Sequence, residues 1–221
     1  MAAAPHALIL GVGPGLGRAL ARRFGQGGFR LTLGARRKTV LDEFVRELSA
    51  EGIEARAEPV DVADEVALRA SIARSREIWG DHELLIYNTS LLHEGLPSEI
   101  AIESFVRDFR INVAGALVAA QEVGRPMRRN GHGTIFMTGG GLALDPWPEM
   151  ASLAVGKAGL RNLALSVAKE FEPDGVRVST VTIGGMIQEN SPFSPQLIAD
   201  RFWELYGAEG SAFAREVIFS G

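Results

Sequence analysis

The sequence of 221 residues predicts an α/β fold: a single domain built as a doubly wound parallel sheet with helices on both faces. Short apolar runs alternate with longer segments of helical periodicity, which indicates repeated strand–helix–strand units. The runs are apolar on both faces, which suits a buried parallel sheet. A glycine-rich turn follows the first run and opens the first helical segment. In such a sheet, the ligand crevice lies at the carboxyl ends of the strands.

Six strands alternate with helical segments along the chain. The strands are rich in Ile, Val, Leu and Phe and are bounded by Gly, Asp or Asn. We predict them at residues 7–10, 29–33, 55–62, 84–87, 134–137 and 176–183. The helical segments begin near Gly15, Thr39, Asp64, Ile102 and Pro148, and the last is one long helix over residues 149–171.

The C-terminal part, residues 184–221, is expected to form a substrate-side lid and a C-terminal helix. A proline-rich turn from Ser191 precedes an amphipathic pattern over residues 197–206, and residues 217–219 are predicted as a short edge strand. The sequence shows no internal repeat, linker or low-complexity tract. Residues 1–221 are therefore treated as one domain.

The composition excludes several kinds of site. The chain has no cysteine, so disulfides, thiolate metal sites and cysteine nucleophiles are absent, and no metal site is expected. The net charge of -4 argues against nucleic acid or an anionic membrane as a partner. No apolar run approaches the roughly 18 residues of a spanning helix. The N-terminal run leads into the glycine-rich turn like a first strand rather than a signal peptide, so we expect a cytoplasmic protein.

The glycine-rich turn carries Gly11, Gly13, Gly15 and Gly17 between the first strand and the first helix. Glycines in this context let the backbone approach a pyrophosphate at a helix N-terminus, where Leu16 begins the helical pattern. The alternative is a tight strand-to-helix turn with no ligand.

The second strand ends at a basic turn. A dinucleotide's ribose is read at this place, and an acidic residue there is the usual sign of NAD. This chain has Ala35 followed by Arg36 and Arg37. Arginine suits a ribose 2′-phosphate through forked, charge-assisted hydrogen bonds, so the sequence predicts NADP (NADPH) in preference to NAD. A solvated basic turn is the alternative.

These motifs resemble the short-chain dehydrogenase/reductase family, over almost the whole chain. The spacing of Gly11, Gly15 and Gly17 matches the family's cofactor turn. The resemblance implies a Rossmann-type fold and an oxidoreductase of small molecules. The resemblance also implies roles for further residues that stand at the family's motif positions. Asp61 and Val62 stand at the adenine edge, Asn88 in the segment "YNTS", Asn112 behind the active site, and Gly184 and Met186 beside the nicotinamide amide.

Lys157 stands where the family has its active-site lysine. The resemblance gives this lysine two roles: it binds the nicotinamide ribose hydroxyls, and its charge lowers the pKa of a tyrosine four residues earlier. Here that earlier position is Leu153, so only the first role remains. The alternative is a surface lysine on the flank of a helix.

Two catalytic side chains of the family have no counterpart in this alignment. Leu153 replaces the tyrosine that serves as general acid, and Gly140 stands where a serine holds the substrate oxygen. General acid catalysis is typically worth about a hundred- to ten-thousandfold. Thr138 could supply a hydroxyl only after a larger shift of the alignment, and Ser152 points about 100° away around the helix. Other possible proton donors, without motif support, lie in segments that resemble the family's loops over the nicotinamide: His93, Asp145, Glu149 and Tyr206.

Two functions remain open. One is an NADPH-dependent reductase of a small carbonyl, imine or activated alkene, with a non-standard proton route. The other is a non-catalytic NADP-binding sensor or partner protein. The resemblance also implies a homodimer or homotetramer that pairs the helices of residues 115–129 and 152–171. Small residues would permit close approach of these helices: Ala151, Ala154, Gly156 and Ala158.

Overall fold

The computed structural model describes residues 4–221 and contains a seven-stranded sheet in the order β3-β2-β1-β4-β5-β6-β7. All six strand pairings are parallel. The strands are β1 (His6–Leu10), β2 (Arg30–Ala35), β3 (Ala55–Pro59), β4 (Leu84–Tyr87), β5 (Gly133–Gly140), β6 (Val176–Ile183) and β7 (Glu216–Phe219). The order reverses between β1 and β4, which confirms the predicted doubly wound sheet.

Residues 4–221 contain seven α-helices, most of which cover the two faces of the sheet. They are α1 (Leu16–Gln26), α2 (Lys38–Ala50), α3 (Glu65–Trp79), α4 (Ile102–Phe109), α5 (Gly115–Asn130), α6 (Ala151–Phe171) and α7 (Pro195–Gly207). Helices α1, α2 and α7 pack on one face, and α3, α5 and α6 pack on the other. None of the helices within residues 4–221 combines the length and apolarity that crossing a membrane would require.

The strand β1 shows why the sequence is apolar on both faces. Ala7 and Ile9 point into the core under α1 and α2, whereas Leu8 and Leu10 point into the core under α3 and α5. All four side chains are fully buried. Successive strand residues alternate between faces, so a sheet covered on both sides needs a continuous apolar run.

A π-helical turn joins α4 to α5 at Arg110–Ala114. The hydroxyl of Tyr87, at the end of β4, donates to the carbonyl oxygen of Ile111 in this turn at 2.5 Å. A Cβ on Gly115 would lie 2.5 Å from the Tyr87 hydroxyl, so only glycine leaves room for this contact. Turns of this kind occur frequently at functional sites, and this one carries the buried Asn112.

The predicted element bounds differ from the observed ones by up to three residues, as three elements show. Strand β3 ends at Pro59 instead of residue 62, and the Val60 amide makes the last bond to β2, to the Ala35 carbonyl at 2.9 Å. Strand β5 extends beyond residue 137 to Gly140. Helix α6 begins at Ala151, since Met150 forms a β-bridge with Gly95 and the Glu149 carbonyl accepts from the Gly95 amide at 2.8 Å.

Candidate active site

The glycine-rich turn between β1 and α1 has two glycines that the fold itself requires. Gly11 has a φ of +91°, and a Cβ there would collide with the backbone of Thr89. A Cβ on Gly17 would lie 2.5 Å from the Gly11 carbonyl oxygen. These two glycines let α1 and the turn after β4 pack closely against the end of β1.

The other two glycines of the turn face open space. A Cβ on Gly13 or Gly15 would meet no atom within 4 Å. Within residues 4–221, the backbone N–H groups of Leu16 and Gly17 have no acceptor, as is general for the first residues of a helix. The turn therefore presents free N–H groups and uncrowded backbone at the positive end of the α1 dipole, where an anionic group is favoured.

A cavity of about 510 Å³ opens beside this turn, at the carboxyl ends of β1, β2, β3 and β4. It brings together seven of the residues that the sequence places in the cofactor site: Gly11, Gly13, Arg36, Arg37, Asp61, Val62 and Asn88. The side chain of Asn88 donates to the Gly11 carbonyl at 2.9 Å and so holds the turn after β4 against the glycine-rich turn.

The rim of the cavity at the end of β2 is basic. Arg36 and Arg37 are exposed, and within residues 4–221 their side chains form no hydrogen bond or ion pair. Lys38 beside them is instead paired with Asp42 at 2.6 Å. Across the cavity, Asp61 is exposed and one of its oxygens accepts from the Ala63 amide at 3.0 Å. Within residues 4–221, the other Asp61 oxygen has no hydrogen-bond donor.

Lys157 lies beyond this cavity, at the ends of β5 and β6. The cavity and the region around Lys157 together are called the cleft. The Lys157 ammonium donates to the Thr138 carbonyl at 2.9 Å, and its methylene chain runs along Gly140, whose Cβ would lie 3.4 Å from Cε. Burial lowers the pKa of Lys157 to about 8. The half-buried position argues against a surface lysine on a helix flank.

Asn112 closes the back of this half of the cleft. Its side-chain oxygen accepts from the Leu91 amide at 2.8 Å, and its amide nitrogen donates to the Leu91 carbonyl at 3.3 Å. Gly156 of α6 packs against it, since a Cβ there would lie 2.7 Å from the Asn112 Cβ. Gly156 and the buried Ala154 therefore face the protein interior, so the proposal that they line a contact between subunits is wrong.

Leu153 and the segment after β6 complete the cleft. Leu153 lies one turn before Lys157 on the same helix and is 7% exposed. A Cβ on Gly141 would lie 3.4 Å from the Gly184 Cα, so Gly184 borders the same end of β5. Met186, two residues further, is 76% exposed. Gly15, Leu16, Gly17, Asn112, Lys157, Gly184 and Met186 all lie outside the 510 Å³ cavity.

The four other proton donors fall in different places. Tyr206 donates to Glu83 at 2.8 Å, just before β4 begins, and therefore lies at the opposite end of the sheet from the cleft. Its proposed position over the nicotinamide is wrong, because α7 packs along α1 on the sheet face. Asp145 and Glu149 are exposed in the loop after β5. His93 is bonded to Asp108.

Two features were missed at the sequence level. The sequence indicates no role for Tyr87 itself, yet its buried hydroxyl supports the π-helical turn that carries Asn112. Asp108 was not considered, although its carboxylate links His93 to Ser152. The only available signal was an aspartate within an amphipathic helix, where an exposed position is the ordinary expectation.

The residues present fit a nicotinamide dinucleotide. The open space in front of Gly13 and Gly15 leaves room for a pyrophosphate beside the free N–H groups of Leu16 and Gly17. Asp61 offers an acceptor in the cavity that it shares with Arg36 and Arg37, and Lys157 offers donors beyond the cavity. The chemistry that the bound group supplies is hydride transfer at its nicotinamide ring.

Comparisons with known proteins agree with this geometry. A relative, 2,5-dichloro-2,5-cyclohexadiene-1,4-diol dehydrogenase LinX of Sphingobium indicum, is 28% identical over 194 residues, covering 88% of this chain and 76% of its own. The 2,3-dihydro-2,3-dihydroxybenzoate dehydrogenase of Bacillus subtilis is 28% identical over 206 residues, covering 93% of this chain and 75% of its own.

Solved structures give the same result. A short-chain dehydrogenase from Rhodopseudomonas palustris superposes with a TM-score of 0.88 at 26% identity, over 98% of each chain. A metagenomic short-chain oxidoreductase in complex with NADP gives 0.89 at 26% identity, over 97% of this chain and 96% of that one. The family model for short chain dehydrogenases matches residues 5–192. The chain therefore belongs to the short-chain dehydrogenase/reductase family of oxidoreductases, whose fold binds a nicotinamide cofactor.

Proposed function

We propose that this protein is an NADPH-dependent reductase that acts on a small carbonyl, imine or activated alkene by a non-standard proton route. The observation that carries the proposal is the pairing of a basic cavity rim, Arg36 and Arg37, with a half-buried Lys157 at the other half of the cleft. The metagenomic relative solved with NADP supports the choice of cofactor.

The choice of NADPH rests on charge. A ribose 2′-phosphate at the rim would gain charge-assisted hydrogen bonds from Arg36 or Arg37, each worth roughly 1.5–3 kcal/mol. Neither arginine has another partner within residues 4–221, so binding a phosphate would break no existing ion pair. NAD would find no carboxylate at Ala35 to accept its ribose 2′-hydroxyl.

The remaining proposed binding residues act on the cofactor's two ends. Gly11, Gly13, Gly15, Leu16 and Gly17 would hold the pyrophosphate, with Asp61, Val62 and Asn88 around the adenosine side. Lys157 would donate to the nicotinamide ribose hydroxyls in place of its bond to the Thr138 carbonyl. Gly184 and Met186, at the start of the proposed lid of residues 184–221, would border the nicotinamide.

We expect the substrate side of the cleft to be largely apolar. Exposed hydrophobic side chains stand in the three loops that follow β4, β5 and β6: Leu92, Leu144, Trp147, Met186 and Ile187. Leu153 adds a further apolar side chain beside Lys157. A compact apolar molecule with one reducible double bond fits such walls better than a highly charged one.

The proton route must differ from that of the family. Leu153 cannot donate a proton and Gly140 offers no hydroxyl, so neither of the two positions that the family uses can protonate or hold a substrate oxygen here. Loss of general acid catalysis corresponds to on the order of 3–5.5 kcal/mol of barrier. A second function therefore stays open: a non-catalytic NADP-binding sensor or partner protein. The positions of Leu153 and Gly140 favour it.

Single-turnover oxidation of bound NADPH separates the two functions. Protein in excess over NADPH is mixed with a panel of aromatic diketones, cyclic imines and nitroalkenes, and the loss of NADPH absorbance is followed. A reductase consumes one NADPH per site with at least one compound. Tight NADPH binding with no oxidation across the panel would favour the binding protein.

We also propose a homodimer or homotetramer located in the cytoplasm. Leu117 and Val155 are 40% and 45% exposed on the two helices that the family resemblance places at the contact. A cavity of about 430 Å³ lies between the same helices and is lined by Leu117, Val167 and Phe171 among others. A monomer mass measured by light scattering at micromolar protein concentration would contradict the proposed oligomer.

A further inference from the structure

The buried carboxylate of Asp108 is bonded to two side chains near the start of α6. His93 Nδ1 lies 2.9 Å from Asp108 Oδ2, and the Ser152 hydroxyl donates to the same oxygen at 2.7 Å. Asp108 is 2% exposed, and within residues 4–221 it pairs with no lysine or arginine. A buried carboxylate is costly unless it is hydrogen-bonded, so these two side chains stabilise it.

The Asp108 contact fixes the chemistry of the His93 ring. An ionised carboxylate only accepts hydrogen bonds, so Nδ1 of His93 carries a hydrogen. In the neutral ring, Nε2 is then an acceptor, and in the charged ring it is a donor. The His93 side chain is 40% exposed, and Nε2 has no hydrogen-bond partner in the part of the chain that the structure describes.

Backbone contacts hold His93 between the cofactor cavity and α6. Leu91, two residues before, lines the cavity and is bonded to Asn112. Gly95, two residues after, forms the β-bridge with Met150. Ser152, which shares the Asp108 oxygen with His93, is the neighbour of Leu153. The loop therefore places an oriented imidazole beside the helix turn that carries Leu153.

We propose that His93, oriented by Asp108, carries the proton between the reacting substrate oxygen and water. This step rests on the reductase function proposed above. As the carbonyl carbon accepts a hydride with its two electrons, the π electrons of the C=O bond move to the oxygen. That oxygen takes the proton from Nε2 of the charged His93 ring. The neutral ring keeps its Nδ1–H bond to Asp108 and regains a proton at Nε2 from water.

The other candidates for this step lack such an arrangement. Asp145 and Glu149 are exposed, and no side-chain partner orients either of them within the described residues. Tyr206 lies at the far end of the sheet, and Ser152 is already committed to Asp108. An orienting carboxylate, an imidazole and a free ring nitrogen together form the arrangement that general acid–base catalysis uses elsewhere.

The first test determines which nitrogen of the His93 ring carries a hydrogen, and it needs no catalytic turnover. The chain has four histidines, so ¹⁵N spectra of the histidine-labelled protein with NADPH bound can be resolved, with the His93 signals identified by their loss in His93→Gln. The neutral His93 ring should show a protonated Nδ1 and an unprotonated Nε2. A ring protonated at Nε2 instead would overturn the proposal.

The second test measures single-turnover NADPH oxidation with 9,10-phenanthrenequinone and a cyclic imine. His93→Gln should slow the reaction at least tenfold, a small part of what a general acid provides, with NADPH affinity unchanged. Added imidazole should restore part of the rate in His93→Ala, which a purely structural role would not allow. His132→Gln, at the opposite end of the sheet, should match the unmutated protein.

The outcomes separate the two proposals. If the unmutated protein oxidises NADPH and His93→Gln is equally fast, the result supports the proposed reductase function and contradicts the proposed role of His93. If the unmutated protein oxidises no NADPH with either compound or with the wider panel, the result contradicts both the reductase function and the role of His93.

Discussion

The Lys157 ammonium donates to the Thr138 carbonyl oxygen at 2.9 Å, and this bond ties helix α6 to the end of β5. One donated hydrogen bond does not replace the water that a charged ammonium loses on burial, so the pKa of Lys157 falls to about 8. The residue is therefore held charged at neutral pH in a place that costs stability. A ligand with hydroxyl acceptors would relieve that cost.

Replacing Lys157 by methionine should stabilise the ligand-free protein at pH 7. Because the pKa of Lys157 is lower in the folded chain than in the unfolded chain, the destabilisation is full below pH 8 and disappears between pH 8 and about 10.5. The gain is bounded at roughly 3 kcal/mol. Urea unfolding at pH 7 and pH 10 measures it. A gain that does not shrink at the higher pH would contradict the burial argument. The same variant should bind NADPH more weakly.

Arg36→Ala should remove most of the preference for NADPH. The unmutated protein is expected to bind NADPH more than tenfold tighter than NADH, because a 2′-phosphate gains charge-assisted hydrogen bonds at the end of β2. Lys38→Ala is the matched control: it removes the same charge two residues away, from a side chain that pairs with Asp42 and does not line the cavity. Calorimetry with both cofactors decides. Equal affinities of the unmutated protein for NADPH and NADH would contradict the proposal that the basic rim binds the 2′-phosphate.

The alternation of apolar runs was enough to predict the doubly wound sheet and, within a few residues, most strands. It did not predict where β3 ends or where α6 begins, and the start of α6 depends on the Gly95–Met150 bridge. Tertiary contacts of this kind leave no periodic signal in the sequence.

The glycine turn and the basic rim were predicted from local motifs, and the cavity brings Gly11, Arg36 and Asp61 together. The link from His93 through Asp108 to Ser152 joins residues from three separate segments. A single sequence contains no information on which of its many polar residues will meet in this way. Tyr206 was misplaced for the same reason, since only packing shows that α7 lies along α1.

Leu153→Tyr combined with Gly140→Ser should leave NADPH binding unchanged and raise reduction of an activated ketone at least tenfold, by general acid catalysis. The serine fits, because a Cβ at Gly140 lies 3.4 Å from the Lys157 Cε, an ordinary contact. Gly139→Ser is the steric control: its Cβ would lie 2.8 Å from the hydroxyls of Thr180 and Thr182, and it should destabilise the fold. A folded double variant with no gain would indicate that the cleft does not seat a substrate carbonyl.

The protein should lose stability in mild acid through His6 and His82. Their rings lie 4.2 Å apart in the interior, and burial lowers the pKa of His6 to about 4 and that of His82 below its usual value. From about pH 6.5 down to pH 4, the unfolded chain binds protons that the folded chain does not, so the free energy of unfolding falls with pH.

The change in the free energy of unfolding per pH unit measures this effect. Each histidine contributes up to about 1.4 kcal/mol per pH unit, and His82→Phe should remove its share, whereas the exposed His132→Gln should not. Urea unfolding at pH 7, 6 and 5 gives the slope. A free energy of unfolding that stays level over this range would contradict the buried neutral pair.

Transfer of label from the cofactor tests the central proposal most directly. The protein is mixed with NADPH that carries deuterium at both C4 positions of the nicotinamide and with the most reactive compound of the panel, and the mass of the product is measured by mass spectrometry. The account predicts one deuterium in the product for each NADPH consumed. Tight binding of NADPH with no deuterium in any product would contradict it and leave the binding protein as the function.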